Sequence, residues 1–137
     1  MNKYELFSHP ADQGIRGYGE TKEEAFQEIA KALQSLMADL KKVEVKTEDE
    51  VKIKAIDEES LLINWLNELL YLFDVKGNIY KEFKVNIKNN ELKAIVKGEE
   101  YDPKKHGSGD IIKAITYNQL EIKKENNLWI VQCVVDV

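Results

Sequence analysis

The sequence predicts an α+β fold, with two helices packed on one face of a mostly antiparallel sheet in the order β-β-α-β-α-β-β-β-β. Two segments repeat apolar residues every three or four positions, which is the spacing of amphipathic helices. Several shorter segments alternate apolar and polar residues, as strands with one buried face do. These strands cluster after the helices, which favours α+β over regularly alternating parallel units.

The length and composition suit one domain, 1–137, and exclude several classes of site. The chain has 137 residues, of which 43% are hydrophobic and 33% charged. A chain of this size buries about two-thirds of its unfolded surface, so it needs no disulfide or structural metal to fold. The single cysteine, Cys133, excludes an internal disulfide and a multi-cysteine zinc site, and two histidines exclude a three-histidine zinc centre. The net charge of -5 argues against a nucleic-acid binder that relies on a broad basic surface.

The sequence predicts neither a secretory signal nor a membrane span. Its beginning has no basic region followed by an apolar stretch. The most apolar run, 61–73, contains two asparagines and a glutamate. A spanning helix needs about 20 apolar residues, so this run predicts a buried core helix. The expected location is the cytoplasm.

The first elements are two strands and a helix. Residues 3–8 and 14–19 predict short strands around a turn-rich segment. Thr21 and Glu24 have the spacing of a capping box, and apolar residues recur at helical spacing behind them. They predict an amphipathic helix of about 18 residues. Residues 51–55 alternate and predict the next strand.

A second helix and two hairpins complete the predicted order. The acidic run 57–59 favours a helix N-terminus, and Gly77 is a typical helix-ending residue. Asn89-Asn90 and Asn126-Asn127 each separate two alternating runs, and such residues tolerate the positive φ angles of tight hairpin turns. The loop expected before the second hairpin is 98–110. The two strands expected to form that hairpin are 111–123 and 128–137.

Asp12 is the first candidate functional residue. It lies in a segment where Pro10 and Gly14 fix a bend. An aspartate in a turn commonly bonds its own backbone two residues on. Local sequence alone therefore favours a structural role for Asp12, and a turn or cap role for His9.

Asp136 is the second candidate. It lies at the end of an otherwise apolar strand and precedes Val137, whose carboxylate ends the sequence. If this strand ends beside the turn that holds Asp12, two or three carboxylates converge. Oxygen ligands of this kind suit Ca²⁺ or Mg²⁺ rather than zinc.

His106 is the third candidate, in a loop that begins at Asp102-Pro103 and continues into a flexible Gly-Ser-Gly. A lone loop histidine is usually solvated, and a contact or substrate loop is the alternative. Cys133 falls in an apolar strand and is expected to be an inert core thiol. The sequence contains no phosphate-binding loop, dinucleotide fingerprint or nucleophile elbow.

Six segments carry a resemblance to a known family. They are 9–16, 36–40, 65–74, 102–103 with 106–107, 112–117 and 135–137. With these segments in order, the chain resembles the archease family over nearly its whole length. It departs from the usual family pattern at Pro10, where a threonine is usual, and at Asn118, where a histidine is usual.

The resemblance implies a protein cofactor rather than a free-standing enzyme. Archeases assist the GTP-dependent tRNA-splicing ligase of the RtcB family by promoting guanylylation of the ligase histidine and many turnovers. The resemblance also implies a calcium-type site at Asp12, Asp136 and Val137, with Mg²⁺ or Mn²⁺ as other candidate ions. His9 and His106 become candidate partner contacts. The ligase, rather than this chain, is then expected to touch RNA.

Two other functions stay open. Asp12, Asp136 and His9 would suit a metal-dependent phosphoryl-transfer hydrolase, in which a metal and a base activate water. The missing phosphate-binding loop weighs against that hydrolase. A general chaperone-like binding module would act independently of Asp12.

Overall fold

The structure, a computed structural model, describes residues 3–9 and 12–137, without the side chain of His9, and confirms the α+β class. Eight strands and three α-helices form within those ranges, with a 3-10 turn at Leu40–Lys42. Their bounds are β1 Tyr4–His9, β2 Asp12–Gly19, α1 Lys22–Met37, β3 Thr47–Lys54, α2 Glu58–Lys76, β4 Asn78–Lys88, β5 Glu91–Glu100, α3 Pro103–His106, β6 Ala114–Ile115, β7 Glu121–Glu125 and β8 Leu128–Asp136.

The strands form two antiparallel sheets, so the expectation of one sheet was wrong. A five-stranded sheet has the order β1-β2-β8-β6, with β7 also paired to β8. A three-stranded sheet has the order β3-β5-β4. Alternation shows which face of a strand is buried but not which strand lies beside it. The prediction therefore could not separate the two sheets.

Helix α1 packs against strands of both sheets, β2 and β4, and therefore does not sit with α2 on a single sheet. Thr21 accepts a hydrogen bond from the Glu24 N–H at 3.1 Å, as predicted. The Glu24 carboxylate reaches back to the N–H of Glu20, one residue before the expected partner. Gly17 of β2 allows α1 to pack closely against that strand, because a Cβ at this position would lie 2.4 Å from the carbonyl oxygen of Ala25.

Helix α2 closes the core with its apolar face. Trp65 is fully buried and its indole N–H donates to the Phe26 carbonyl of α1 at 3.0 Å. Gly77 ends the helix in the left-handed conformation with φ 71°, as predicted. In the described part of the chain, no helix is long and apolar enough to cross a membrane.

The two predicted hairpins form around their asparagine pairs, whose four residues all have positive φ. The segment 111–123 is not one strand, however. It forms β6 and β7, because the chain turns between them: Gln119 has φ 52° and the Leu120 N–H donates to the Tyr117 carbonyl at 3.1 Å. The expected loop 98–110 contains α3, which Pro103 starts at a position where a missing N–H costs nothing.

Candidate metal centre

Strands β2 and β8 bring Asp12 and Asp136 to neighbouring positions. Their register pairs Gly14 with Val134 and Gln13 with Val135. The next position along both strands places Asp12 opposite Asp136. Directly opposed residues of an antiparallel pair have Cβ atoms about 5 Å apart and share one face of the sheet. The β2–β8 register ends one residue before the two aspartates, and its extension by one step supports their predicted convergence, which stays a prediction.

Asp12 and Asp136 lie on the face of the five-stranded sheet that carries polar groups. Arg16, on the same face of β2, donates from Nε to Oε1 of Gln132 at 2.8 Å and pairs with Glu5. Hydrogen bonds from Tyr18 and Arg16 lower the pKa of Glu5. Arg16 is four residues from Asp12, or about 13 Å along a strand. The Arg16 guanidinium is thus engaged by Glu5 and Gln132 on this face of the sheet.

Asp136 is fixed from its other side by the chain that leads into β6. Ala114 pairs with Asp136 in register, and the Lys113 N–H donates to the Asp136 carbonyl at 2.8 Å. The Asp136 side chain is half-buried. Among the described residues, no cationic side chain lies within 4.0 Å of its carboxylate.

The donor atoms fit a hard divalent cation. Within residues 3–9 and 12–137, no three His, Cys, Asp or Glu side chains come together as a complete metal site. Two carboxylates must then be completed by main-chain oxygens or water, a ligand set that Ca²⁺ and Mg²⁺ accept and structural zinc does not. Val137 is half-buried and follows Asp136 directly in the chain, so its main-chain oxygen is a candidate ligand beside the Asp136 carboxylate. Cation binding by Asp12, Asp136 and Val137 stays a prediction.

The turn expected around Asp12 is only partly described. Asp12 is the first residue of β2 and pairs in register with His9 of β1. Pro10, Ala11 and the side chain of His9 lie outside the described residues. The predicted partner contact of His9 stays a prediction.

His106 is not a solvated loop residue, and this corrects the expectation that it contacts a partner. Its side chain is 0% exposed. Its Nδ1 accepts the Asp102 N–H at 3.0 Å, so Nε2 carries the proton and faces Glu99 at 2.9 Å. The ring also stacks on Tyr101, with centroids 5.9 Å apart. A ring enclosed in this way has no free edge to offer a partner.

Glu99 is the centre of a buried ionic cluster that the sequence did not indicate. It is 6% exposed, and besides His106 it accepts from the Glu44 N–H at 2.7 Å and from Lys105 at 2.9 Å. Lys46 adds a further charge at 3.6 Å. Burial opposes ionisation of Glu99, but the hydrogen bonds outweigh it and lower the pKa to about 2. The helical turn begun by Asp102-Pro103 was the only local signal that this segment folds back over the end of β5.

Cys133 is a core thiol, as predicted. It is 0% exposed, and burial raises its pKa to about 12. The thiolate needed for nucleophilic chemistry is therefore absent near neutral pH.

Comparison with known proteins identifies relatives of this chain. Residues 4–137 match the Archease protein family. "Protein archease" of Pyrococcus furiosus is 41% identical and covers 100% of both chains. "Protein archease" of Methanosarcina mazei is 44% identical over 98% of this chain and 96% of the relative.

Two solved structures share the fold. The solution structure of protein 1598 from Methanobacterium thermoautotrophicum superposes with a TM-score of 0.82 at 33% identity, covering 100% of both chains. The crystal structure of an archease from Thermotoga maritima, described as a "possible chaperone", has a TM-score of 0.58 at 21% identity, covering 96% of this chain and 94% of that one. On the family match and these relatives, the chain belongs to the archease family.

Proposed function

We propose that this protein activates a GTP-dependent tRNA-splicing ligase of the RtcB family, promoting ligase guanylylation and multiple turnover. The ligase supplies the covalent chemistry, and this chain acts on it as a protein cofactor in the cytoplasm. Family membership supports this proposal. The observation that supports the site assignment is the β2–β8 register, whose extension by one residue on each strand sets Asp12 opposite Asp136.

In this proposal, Asp12, Asp136 and a main-chain oxygen of Val137 hold one divalent cation, Ca²⁺ first among the candidates. When bound, the cation would neutralise the paired carboxylates and offer its remaining coordination positions to an anionic group. The protein's own contribution is positioning. The β2–β8 ladder holds the backbone as far as Gln13 and Val135, next to the two aspartates, and the Lys113 N–H and β6 hold the Asp136 backbone from the far side.

The test is a ligation assay with the partner ligase. Guanylylation and the number of turnovers are measured with the wild-type chain, Asp12→Asn and Asp136→Asn. Asp74→Asn, an exposed aspartate on α2, is the matched control. Loss of stimulation in the two site variants but not in the control supports the proposal. Full stimulation by both site variants rejects the metal-site mechanism.

The same variants separate the other functions. A general chaperone would suppress aggregation of unrelated proteins equally well with Asp12→Asn. A metal-dependent hydrolase would turn over phosphoesters without any ligase and would lose that turnover in Asp12→Asn.

A further inference from the structure

The solvent-facing side of the three-stranded sheet consists mostly of charged side chains, and we call it the lysine face. Its residues are exposed, apart from half-buried Ile95 and Lys97, while the opposite face of the same sheet is apolar and packs into the core. The register defines its members as Glu48, Glu50, Lys52 and Lys54 of β3, Glu91, Lys93, Ile95 and Lys97 of β5, and Glu82, Lys84, Asn86 and Lys88 of β4.

Positive charge collects around Lys93, on the central strand. Lys52 lies directly opposite it on β3, and Asn86 lies opposite it on β4. Lys84 and Lys88 occupy the two diagonal positions on β4. Like charges directly opposite one another destabilise a sheet, so this arrangement costs the isolated protein some stability.

The nearby glutamates pair with Lys52 but not with the other three lysines of this cluster. Glu50 is paired with Lys52 at 3.2 Å, and Glu91 is paired with Lys54 at 3.4 Å. Among the described residues, Lys84, Lys88 and Lys93 have no ion-pair partner within 4.0 Å. Three lysines therefore stand uncompensated on one face of a chain whose net charge is -5.

The composition of the lysine face favours a nucleic acid over a protein partner. Cores of protein interfaces are depleted in lysine and built on apolar and aromatic anchors. Here the one aliphatic side chain is Ile95, and the aromatic Phe83 points into the core with 7% exposure. Lysines on flexible stems instead suit phosphate groups, which they meet as point charges. Without an exposed aromatic ring for base stacking, contacts would be to the backbone and independent of sequence.

We propose that the lysine face binds the phosphate backbone of RNA, with Lys84, Lys88 and Lys93 as the contacting residues. The choice of RNA among polyanions rests on the proposed function, because the ligase acts on tRNA. Asn86, Ile95 and Glu50, which is paired with Lys52, line a depression between Lys84 and Lys93 that would receive the backbone. Net charge alone predicts no such contact. The placement of the charges, which only the register reveals, supports it.

The experiment measures binding of a labelled tRNA transcript by the full chain, without ligase, by fluorescence anisotropy at several salt concentrations. The test variant carries Lys84→Gln, Lys88→Gln and Lys93→Gln. The control carries Lys41→Gln, Lys42→Gln and Lys124→Gln, which change the net charge equally and are also exposed. Circular dichroism verifies that both variants are folded.

Wild type and control should bind with a Kd of about 10⁻⁴ to 10⁻⁶ M at physiological salt. The test variant should bind at least about tenfold more weakly, with the slope of log K against log salt reduced by about two to three. Equal binding by the two variants, or no binding by wild type at about 10⁻⁴ M, overturns the proposal. So does self-association through this face, seen as a dimer of wild type that the test variant loses. Because no ligase is present in this experiment, none of these three outcomes bears on the ligase-stimulation assay that tests the proposed function.

Discussion

Two carboxylate sites of this protein differ in how fully the protein satisfies them. Glu99 is buried and receives a backbone N–H, His106 and Lys105 within hydrogen-bonding distance. Asp136 is half-buried beside a second aspartate in the strand register, and no cation of the described residues reaches its carboxylate. Carboxylates are stable in a fold when donors or cations compensate them. The comparison indicates that Glu99 serves the fold, whereas for Asp136 no compensating cation lies among the described residues and cation binding stays a prediction.

The largest effect is expected from removing the charge of Glu99. Glu99→Gln should lower the free energy of unfolding by about 3 kcal/mol, because the Glu44 N–H, His106 and Lys105 lose hydrogen bonds to a charged, buried acceptor. Urea unfolding measures the change. Glu100→Gln, an exposed neighbour, should change it by less than about 0.5 kcal/mol. Equal stability of the two variants would show that the Glu99 cluster is not structural.

His106→Ala should have the next largest effect, about 1–3 kcal/mol, because the Asp102 N–H and one oxygen of Glu99 lose their partner. Urea unfolding again measures it. A wild-type unfolding midpoint would contradict a structural role and restore the hypothesis of a contact residue.

The pH dependence of stability should show the lowered pKa of Glu99. Its pKa is about 2 in the folded chain against an ordinary value of 4.5. The stabilisation from its ionised form is therefore fully present above about pH 4.5 and is lost as the pH falls towards 2. Urea midpoints measured across this range should fall steeply for wild type and less steeply for Glu99→Gln. Parallel curves would contradict the assignment.

The smallest effect is expected at the aspartate pair without added cation. Asp136→Asn should raise the free energy of unfolding by about 0.2–1 kcal/mol in the presence of a chelator, because it removes repulsion between opposed like charges. Thermal unfolding measures it. A clear loss of stability would mean that the Asp136 carboxylate is already compensated, as Glu99 is.

Local features of the fold could be predicted and neighbour relations could not. The asparagine pairs at 89–90 and 126–127 determine their own turns, since positive φ is a property of those residues. The choice between one sheet and two depends on which strand lies beside β5, and no short segment encodes that. The segment 111–123 was mistaken for one strand because nothing in its alternation marks the turn at Gln119, whose φ is positive.

In the candidate site, too, single residues could be identified from the sequence, but their neighbours in space could not. Asp136 was found because a carboxylate at the end of an apolar strand is out of place. Its proximity to Asp12 needed the register. His106 was misjudged because its partner Glu99 lies seven residues back, across a turn whose fold-back places the ring in the core. The lysine face was not predicted, because the net charge of a chain does not show how its charges are distributed over the surface.

Calcium titration is the most direct test of a cation site at Asp12 and Asp136. Thermal unfolding of wild type, Asp12→Asn, Asp136→Asn and the control Asp74→Asn is measured against Ca²⁺ concentration. Wild type and control should gain about 2.7 kcal/mol when free Ca²⁺ reaches one hundred times the Kd, and both site variants should gain nothing at the same concentration. The same gain in all four proteins, or no gain in wild type at any concentration, would contradict a cation site at Asp12 and Asp136.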